Sequence, residues 1–274
     1  MGDPPAPLSS YADGVSVQVV FVHGIRTSST MWRSQIDWLA ENGIPATAID
    51  LPAHGMRMDE DFTLHEALHT IDAAVRDAAR HGPVLLVGHS MGGLLSLAYA
   101  GGEDAPPIAG VVAASCTAIP RGAALRAYRV LARAMNSLPQ RGQWLTDRVL
   151  AATLPVDTRG DFAAGGYAFD AQDAALSSLA ALDLEAALPR IRVPLWFVNG
   201  QFDQLRVNEA LFQRLVPHAE LIVVPHATHL VTAMRPTVFN AVLRLAMAVV
   251  DARSRGRADR AHPRESAAPA PDYW

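Results

Sequence analysis

The stretch at residues 84–93 constrains the fold more than any other part of the chain. Its sequence, VLLVGHSMGG, is an apolar run followed by a serine between glycines and then by residues that favour a helix. Gly88 and Gly92 permit a turn so tight that the Ser90 hydroxyl stands exposed between a strand and a helix. The Gly-x-Ser-x-Gly pattern alone is weak evidence. Its strand-turn-helix context makes it a strong candidate for the turn that presents a nucleophilic serine.

Apolar strands alternate with amphipathic helices on both sides of this stretch. Strands are predicted at residues 15–22, 46–51, 84–87, 108–115, 194–198 and 220–224, with helices at 32–42, 63–80, 208–215 and 237–252. Strands that are apolar on both faces are typical of a parallel sheet with helices on either side. The sequence therefore predicts an α/β fold with a mostly parallel central sheet.

The alternation stops between residues 120 and 182, where apolar residues keep helical spacing and no strand intervenes. This pattern predicts a helical cap at 120–183, inserted between core segments 15–119 and 184–252. Residues 1–14 form an N-terminal segment. Residues 253–274 are rich in Arg, Ala, Pro and Ser, and we expect a disordered tail there because such a composition buries little apolar surface.

Composition narrows the class of protein. The chain has 274 residues, 50% hydrophobic content and a net charge of −4, which indicates one large α/β domain without a strongly basic face and argues against a nucleic-acid partner. No segment approaches the roughly 20 apolar residues of a membrane span. The lone Cys116 allows no intrachain disulfide and is expected to be a buried small hydrophobe. Because residues 1–14 lack a signal-peptide pattern, we expect a cytoplasmic location. The oligomeric state stays open.

A serine hydroxyl needs a base to accept its proton and a third group to orient that base. Asp203 follows the predicted strand at 194–198, and His229 follows the one at 220–224. Loops after parallel strands share one edge of the sheet, so Ser90, Asp203 and His229 are predicted to converge there. The alternative roles are ordinary ones, with Ser90 as a helix N-cap and Asp203 as a turn cap.

Over roughly residues 15–250 the chain resembles the α/β-hydrolase superfamily. The matching stretches are His23-Gly24, Asp50-Leu51-Pro52-Ala53-His54-Gly55, Gly88-His89-Ser90-Met91-Gly92-Gly93, Val193-Pro194 with Gly200 and Asp203, and His229 with Pro236. The resemblance implies a catalytic triad of Ser90, Asp203 and His229. It also implies an oxyanion hole formed by the backbone N–H groups of Ile25 and Met91, and chemistry that needs neither a metal nor another cofactor.

Two residues near the predicted base depart from the family pattern or compete with it. His226 is the rival base, but the spacing of seven residues from His229 to Pro236 matches the family and favours His229. His226 is then expected to line the substrate pocket. Met234 occupies a position where many members carry glutamate, which leaves the local anchoring of the helix in question.

Further substrate contacts are predicted at His89, Tyr128 and Trp144, in addition to His226. Arg26, beside Ile25, is expected to be a solvated loop residue, with a bidentate contact to a substrate carboxylate as the alternative. His54 and Arg57 lie on a loop expected to border the cleft. The cap aromatic residues favour a hydrophobic acyl or aromatic group in the substrate; they are Tyr128, Trp144, Tyr167 and Phe169.

A second motif competes with the serine chemistry. The sequence His65-Glu66-Ala67-Leu68-His69 matches H-E-x-x-H, the helical zinc signature of metalloproteases. Both histidines, however, are predicted on the helix side opposite the apolar stripe, and no third ligand is evident. An ordinary solvated helix face is the favoured interpretation.

The function predicted from the sequence is hydrolysis of a carboxylic ester of a small, hydrophobic molecule through an acyl-enzyme on Ser90. Thioesterase, amidase, lactonase and carbon-carbon bond hydrolase activities would use the same triad. A non-hydrolytic member of the fold, such as a perhydrolase, lyase, cofactor-free oxygenase or small-molecule receptor, is the further alternative.

Overall fold

A sheet of six parallel strands lies at the centre of the fold. The computed structural model describes residues 16–261. The strands are β1 (Gln18–Val22), β2 (Ala46–Ile49), β3 (Val84–His89), β4 (Gly110–Ala114), β5 (Leu195–Gly200) and β6 (Glu220–Val224). Their order across the sheet is β2-β1-β3-β4-β5-β6. Every adjacent pair is parallel. The predicted α/β fold with a parallel central sheet is confirmed.

Helices pack on both faces of this sheet. The helices are α1 (Arg33–Glu41), α2 (Leu64–Ala79), α3 (Met91–Ala100), α4 (Gly122–Asn136), α5 (Gln143–Thr153), α6 (Val156–Ala164), α7 (Gln172–Ala181), α8 (Leu184–Ala187), α9 (Glu209–Leu215), α10 (Val231–Met234) and α11 (Pro236–Ala261). Short 3₁₀ turns span Ser29–Trp32, Gly55–Arg57, Pro139–Gly142 and Leu188–Arg190.

Two apolar cores lie on opposite faces of the sheet. Residues of α2 and α3 form one core, and residues of α1 and α11 form the other. Because side chains of a strand alternate between faces, Val20 of β1 enters the first core while the adjacent Phe21 enters the second. The central strands β3, β4 and β5 are buried along their whole length, as expected for strands covered on both sides.

The residues between β4 and β5 are helical, with α4 to α7 inserted before α8. Helix α6 holds this cap to the core. The Thr30 hydroxyl donates to the Asp161 carbonyl at 2.6 Å, the Thr158 hydroxyl donates to the Ala233 carbonyl at 3.0 Å, and Phe162 is buried. By contrast, α4 and α5 are mostly exposed. The cap therefore has an anchored part, α6 and α7, and an outer part, α4 and α5.

The closing helix is longer than the sequence-based boundary at 252. Helix α11 continues to Ala261, so residues 253–261 are helical and the prediction of a tail beginning at 253 is corrected. Arg and Ala are good helix formers, and Arg255 pairs with Asp251 one turn earlier at 2.7 Å. The N-terminal segment 1–14 and residues 262–274 of the predicted tail lie outside the described residues. None of the described helices combines the length and apolar character needed to cross a membrane.

Candidate active site

The turn that carries Ser90 joins β3 to α3 and is closely packed. A Cβ at Gly88 would lie 2.4 Å from the Gly92 carbonyl oxygen, and one at Gly92 would lie 2.4 Å from the Val22 carbonyl oxygen. Ser90 itself has φ 54° and ψ −115°, a conformation that side chains rarely adopt. Its N–H donates to the Ala114 carbonyl at 2.8 Å. Close packing from β1 and β4 thus holds the serine in a strained turn.

His229 connects Ser90 to Asp203. Its Nε2 lies 3.0 Å from Ser90 Oγ, and its Nδ1 lies 3.1 Å from Asp203 Oδ1 and 3.3 Å from Oδ2. Since a carboxylate only accepts, Nδ1 carries the proton and Nε2 is left to accept from the serine hydroxyl. The structure brings together the three side chains that the sequence predicted to converge.

The Asp203 carboxylate is enclosed but well supplied with donors. Its side chain is 1% exposed. Burial acts to raise the pKa of this carboxyl, yet the hydrogen bonds from His229 and the Leu205 N–H outweigh burial and hold the net pKa below its usual value. The Leu205 N–H lies 2.8 Å from Oδ1. Asp203 therefore stays ionised and can stabilise a positive charge on the His229 ring.

The loop that carries His229 is tied to the serine turn. His89 Nε2 donates to the His229 carbonyl at 2.9 Å. The His89 ring is fully buried, and burial, followed by the proximity of His229, lowers its pKa to about 3. Met234 completes the loop, because its sulfur accepts from the Thr228 hydroxyl at 3.1 Å and from the Thr228 N–H at 3.4 Å. A thioether thus provides the anchoring that the sequence left in question.

Two neutral histidines hold the loop after β1. His23 Nδ1 donates to the Gly24 carbonyl at 2.8 Å while its Nε2 accepts from the Leu51 N–H at 3.0 Å. His54 Nδ1 donates to the Pro52 carbonyl at 2.8 Å, and its Nε2 accepts from the Arg26 N–H at 3.3 Å. Burial, followed by the neighbouring His54, lowers the pKa of His23 to about 3. Both rings stay neutral at pH 7 and fix the backbone on either side of Ile25.

A cavity of about 300 Å³ lies between these loops and the cap. Most of its wall is apolar, and Ser90 and His229 are among the residues that line it. Ile25 and Met91, the predicted oxyanion donors, line it together with Arg26, His89 and Tyr128. Met91 is the first residue of α3, a position whose N–H has no partner within the helix. A small organic substrate can enter with its carbonyl near the serine.

Two predicted substrate contacts lie elsewhere. Trp144 is on α5, is 51% exposed and does not line the cavity. His226 is exposed on the loop after β6, where its N–H donates to the Gln201 side chain at 3.1 Å. Neither residue is among those that line the cavity, so the structure does not place either of them at the expected pocket. His54 and Arg57 do not line the cavity either.

Part of the cavity wall was missed by sequence reasoning. Gln204, Leu205 and Val207 follow the predicted acid, and Leu176 and Leu179 lie three residues apart on α7. The first group could have been found from its adjacency to Asp203. The leucines belong to an apolar helix face that, in the sequence, is equally typical of a core contact.

The H-E-x-x-H motif lies at the beginning of α2, away from the cavity. His65 and His69 are exposed, with ring centroids 6.4 Å apart. The Thr63 hydroxyl accepts from the Glu66 N–H at 3.1 Å, so Thr63 is the N-cap and the motif lies in the first turns of the helix. Within residues 16–261 no group of three His, Cys, Asp or Glu side chains is arranged to hold a metal ion.

Known proteins resemble this chain in sequence and in fold. The model of a family described as "Alpha/beta hydrolase family" matches residues 19–242. "Probable esterase PIR7A" from Oryza sativa subsp. indica is 42% identical over 84 residues, which is 30% of this chain and 32% of that protein. The matched stretch thus spans about a third of the length of this curated relative.

Solved structures match over most of the chain. E-2-(acetamidomethylene)succinate hydrolase superposes with a TM-score of 0.70 at 23% identity, covering 86% of this chain and 92% of the other. A thermophilic esterase from Thermogutta terrifontis gives a TM-score of 0.69 at 21% identity, covering 87% and 92%. At this level of identity the likeness concerns the fold.

The chain belongs to the alpha/beta hydrolase family, since the family model covers most of its length.

Proposed function

We propose that the protein cleaves a carboxylic ester of a small, largely hydrophobic molecule through an acyl-enzyme on Ser90. The observation that carries the proposal is the continuous chain of hydrogen-bond distances from Ser90 Oγ through His229 to Asp203. Ser90 and His229 line a cavity whose walls are mostly apolar. A nucleophile, an oriented base and an apolar pocket together favour acyl transfer to water.

Each step of the proposed reaction is assigned to one of these groups. Ser90 Oγ attacks the ester carbonyl carbon while His229 Nε2 accepts the hydroxyl proton. Asp203 stabilises the resulting imidazolium, and the N–H groups of Ile25 and Met91 donate to the oxyanion. His229 then protonates the departing alcohol. Water, activated by the same Nε2, hydrolyses the acyl-enzyme and restores the serine.

A fluorophosphonate probe tests this proposal directly. The probe should label the wild-type protein at Ser90, and Ser90→Ala should abolish labelling and lower the turnover of a 4-nitrophenyl ester by at least about 10³-fold, because members of a triad act as a unit. Ser96→Ala, on α3 and away from the cavity, is the matched control and should keep both properties. Full turnover by Ser90→Ala would refute the proposal.

Substrate profiling separates the related chemistries that share the triad. Matched oxygen and thioesters of the same acyl group, measured on one preparation, should give a higher kcat/KM for the oxygen ester. A large preference for the thioester would assign the same residues to a thioesterase.

A further inference from the structure

Arg26 is the positive charge of the cavity. Among the described residues that line it, no other Arg or Lys and no Asp or Glu is present. The Nη2 atom of Arg26 is buried and has no hydrogen-bond partner among the described residues. The ionisable side chains close enough to interact electrostatically with this guanidinium are those of Tyr128 and Tyr167. The described residues that line the cavity therefore include one partly buried guanidinium group and no carboxylate to balance its charge.

The position of Arg26 is fixed from several sides. Its guanidinium carbon lies 4.4 Å from the centroid of the Phe169 ring, which belongs to the cap. Its carbonyl accepts from the Ala168 N–H at 3.3 Å, and its own N–H donates to His54. The backbone is left-handed, with φ 67°. A long side chain held in this conformation is uncommon, and such residues cluster at ligand-binding sites.

Arg141 lies near the same Phe169 ring but has a carboxylate partner. Its guanidinium carbon lies 5.7 Å from the Phe169 centroid, but it pairs with Asp170 at 2.6 Å and is half exposed. Arg26 is more enclosed and has no such partner. Since a buried charge is costly without an opposite charge, the anion that complements Arg26 is expected to arrive with the ligand.

We propose that Arg26 binds a carboxylate of the substrate, so that the substrate is an ester carrying a second, ionised carboxyl group. This inference rests on the proposed function, because it places the ester at Ser90. Arg26 directly follows Ile25, whose N–H is the proposed oxyanion donor, and consecutive Cα atoms are about 3.8 Å apart. The carboxylate and the ester are thus expected to occupy the same cavity, and the chain between them to lie against its apolar lining, which includes Leu125, Leu176 and Leu179.

A pair of esters that differ in charge tests the proposal. The 4-nitrophenyl monoester of adipic acid carries the carboxylate, and 4-nitrophenyl hexanoate is its neutral counterpart. Wild-type protein should favour the charged ester in kcat/KM. Arg26→Gln should lower the ratio of the two kcat/KM values by about 10- to 100-fold, the range expected for hydrogen bonds to a charged group. Because both esters are measured on one preparation, an inactive fraction cancels in the ratio.

Arg141→Gln is the matched control, since it removes a guanidinium from the same ring but not from the cavity. This variant should retain the wild-type ratio. Arg26→Lys, which keeps the charge but loses the planar fork, should retain part of the preference. If Arg26→Gln slows both esters equally, Arg26 only links the loop to the cap and the proposal is overturned.

A binding measurement separates this inference from the proposed function. Monomethyl adipate should bind to Ser90→Ala at least about 10-fold more tightly than to the Ser90→Ala, Arg26→Gln double variant, as measured by calorimetry. Equal binding would overturn the role of Arg26 even if Ser90 reacts with the fluorophosphonate. Arg26-dependent binding together with an unreactive Ser90 would instead overturn the hydrolase and retain the carboxylate site.

Discussion

Replacing Ser90 with glycine should give a more stable protein than replacing it with alanine, although both variants lack the nucleophile. At φ 54° and ψ −115°, a residue with a Cβ costs about 1–3 kcal/mol that glycine does not. Glycine in turn loses about 0.4–1 kcal/mol through the greater entropy of the unfolded chain. The difference favours Ser90→Gly by about 1 kcal/mol, or about 2–4 °C in Tm for a domain of this size.

Urea and thermal unfolding followed by circular dichroism would measure this difference. Ser96 supplies the control, because it lies inside α3 where a helical backbone favours alanine over glycine by about 1 kcal/mol. Glycine should therefore give the more stable variant at position 90, and alanine should give the more stable variant at position 96. If Ser90→Gly is less stable than Ser90→Ala, the serine turn does not store backbone strain.

Other predictions concern pH, packing and the choice of base. The pKa values of His23 and His89 fall from about 6.5 in the unfolded chain to about 3, so below pH 6.5 the unfolded state binds more protons. Each histidine should then remove about 2 kcal/mol from the free energy of unfolding between pH 7 and pH 5. In urea titrations at the two pH values, the free energy of unfolding of His89→Gln should fall by about 2 kcal/mol less than that of the wild type. If the variant shows the same pH dependence as the wild type, His89 is not buried as a neutral ring. Gly92→Ala should lower both soluble yield and Tm, because its Cβ would meet the backbone of β1; wild-type stability would contradict the tight turn. His229→Ala should reduce ester turnover by at least about 10³-fold, whereas His226→Ala should retain it within a few-fold; the opposite result would exchange the two roles.

The order of strands and helices could be predicted because it depends on local sequence. Apolar runs bounded by glycine or proline mark the strands, and in a parallel sheet the loops after them must share an edge. This is why the meeting of Ser90, Asp203 and His229 could be predicted from their places after the strands. The choice between His226 and His229 rested on the distance to Pro236, and the structure places only His229 next to Ser90.

Other features depend on contacts that sequence spacing does not contain. Trp144 was expected in the cavity because it is aromatic and in the cap, but it is half exposed on α5 and does not line the cavity. The expectation that Arg26 is solvated overlooked Phe169, which is far away in the sequence and covers the guanidinium. The end of α11 was predicted nine residues too early, because a segment rich in Arg and Ala is typical both of a helix and of a disordered chain.

The division of the cap has a consequence for how new specificities could arise. Helix α6 is bonded to the core through Thr30 and Thr158. Helix α4 contributes Leu125 and Tyr128 to the cavity. Its side chains bond to α7, through the pairs Arg129–Ser177, Arg133–Asp173 and Asn136–Gln172. Exchange of residues 121–153 would therefore replace one wall of the cavity and leave the fastening and the serine turn intact. Changes in the outer cap could therefore alter the shape of the cavity, and with it the substrate, while the catalytic residues stay the same.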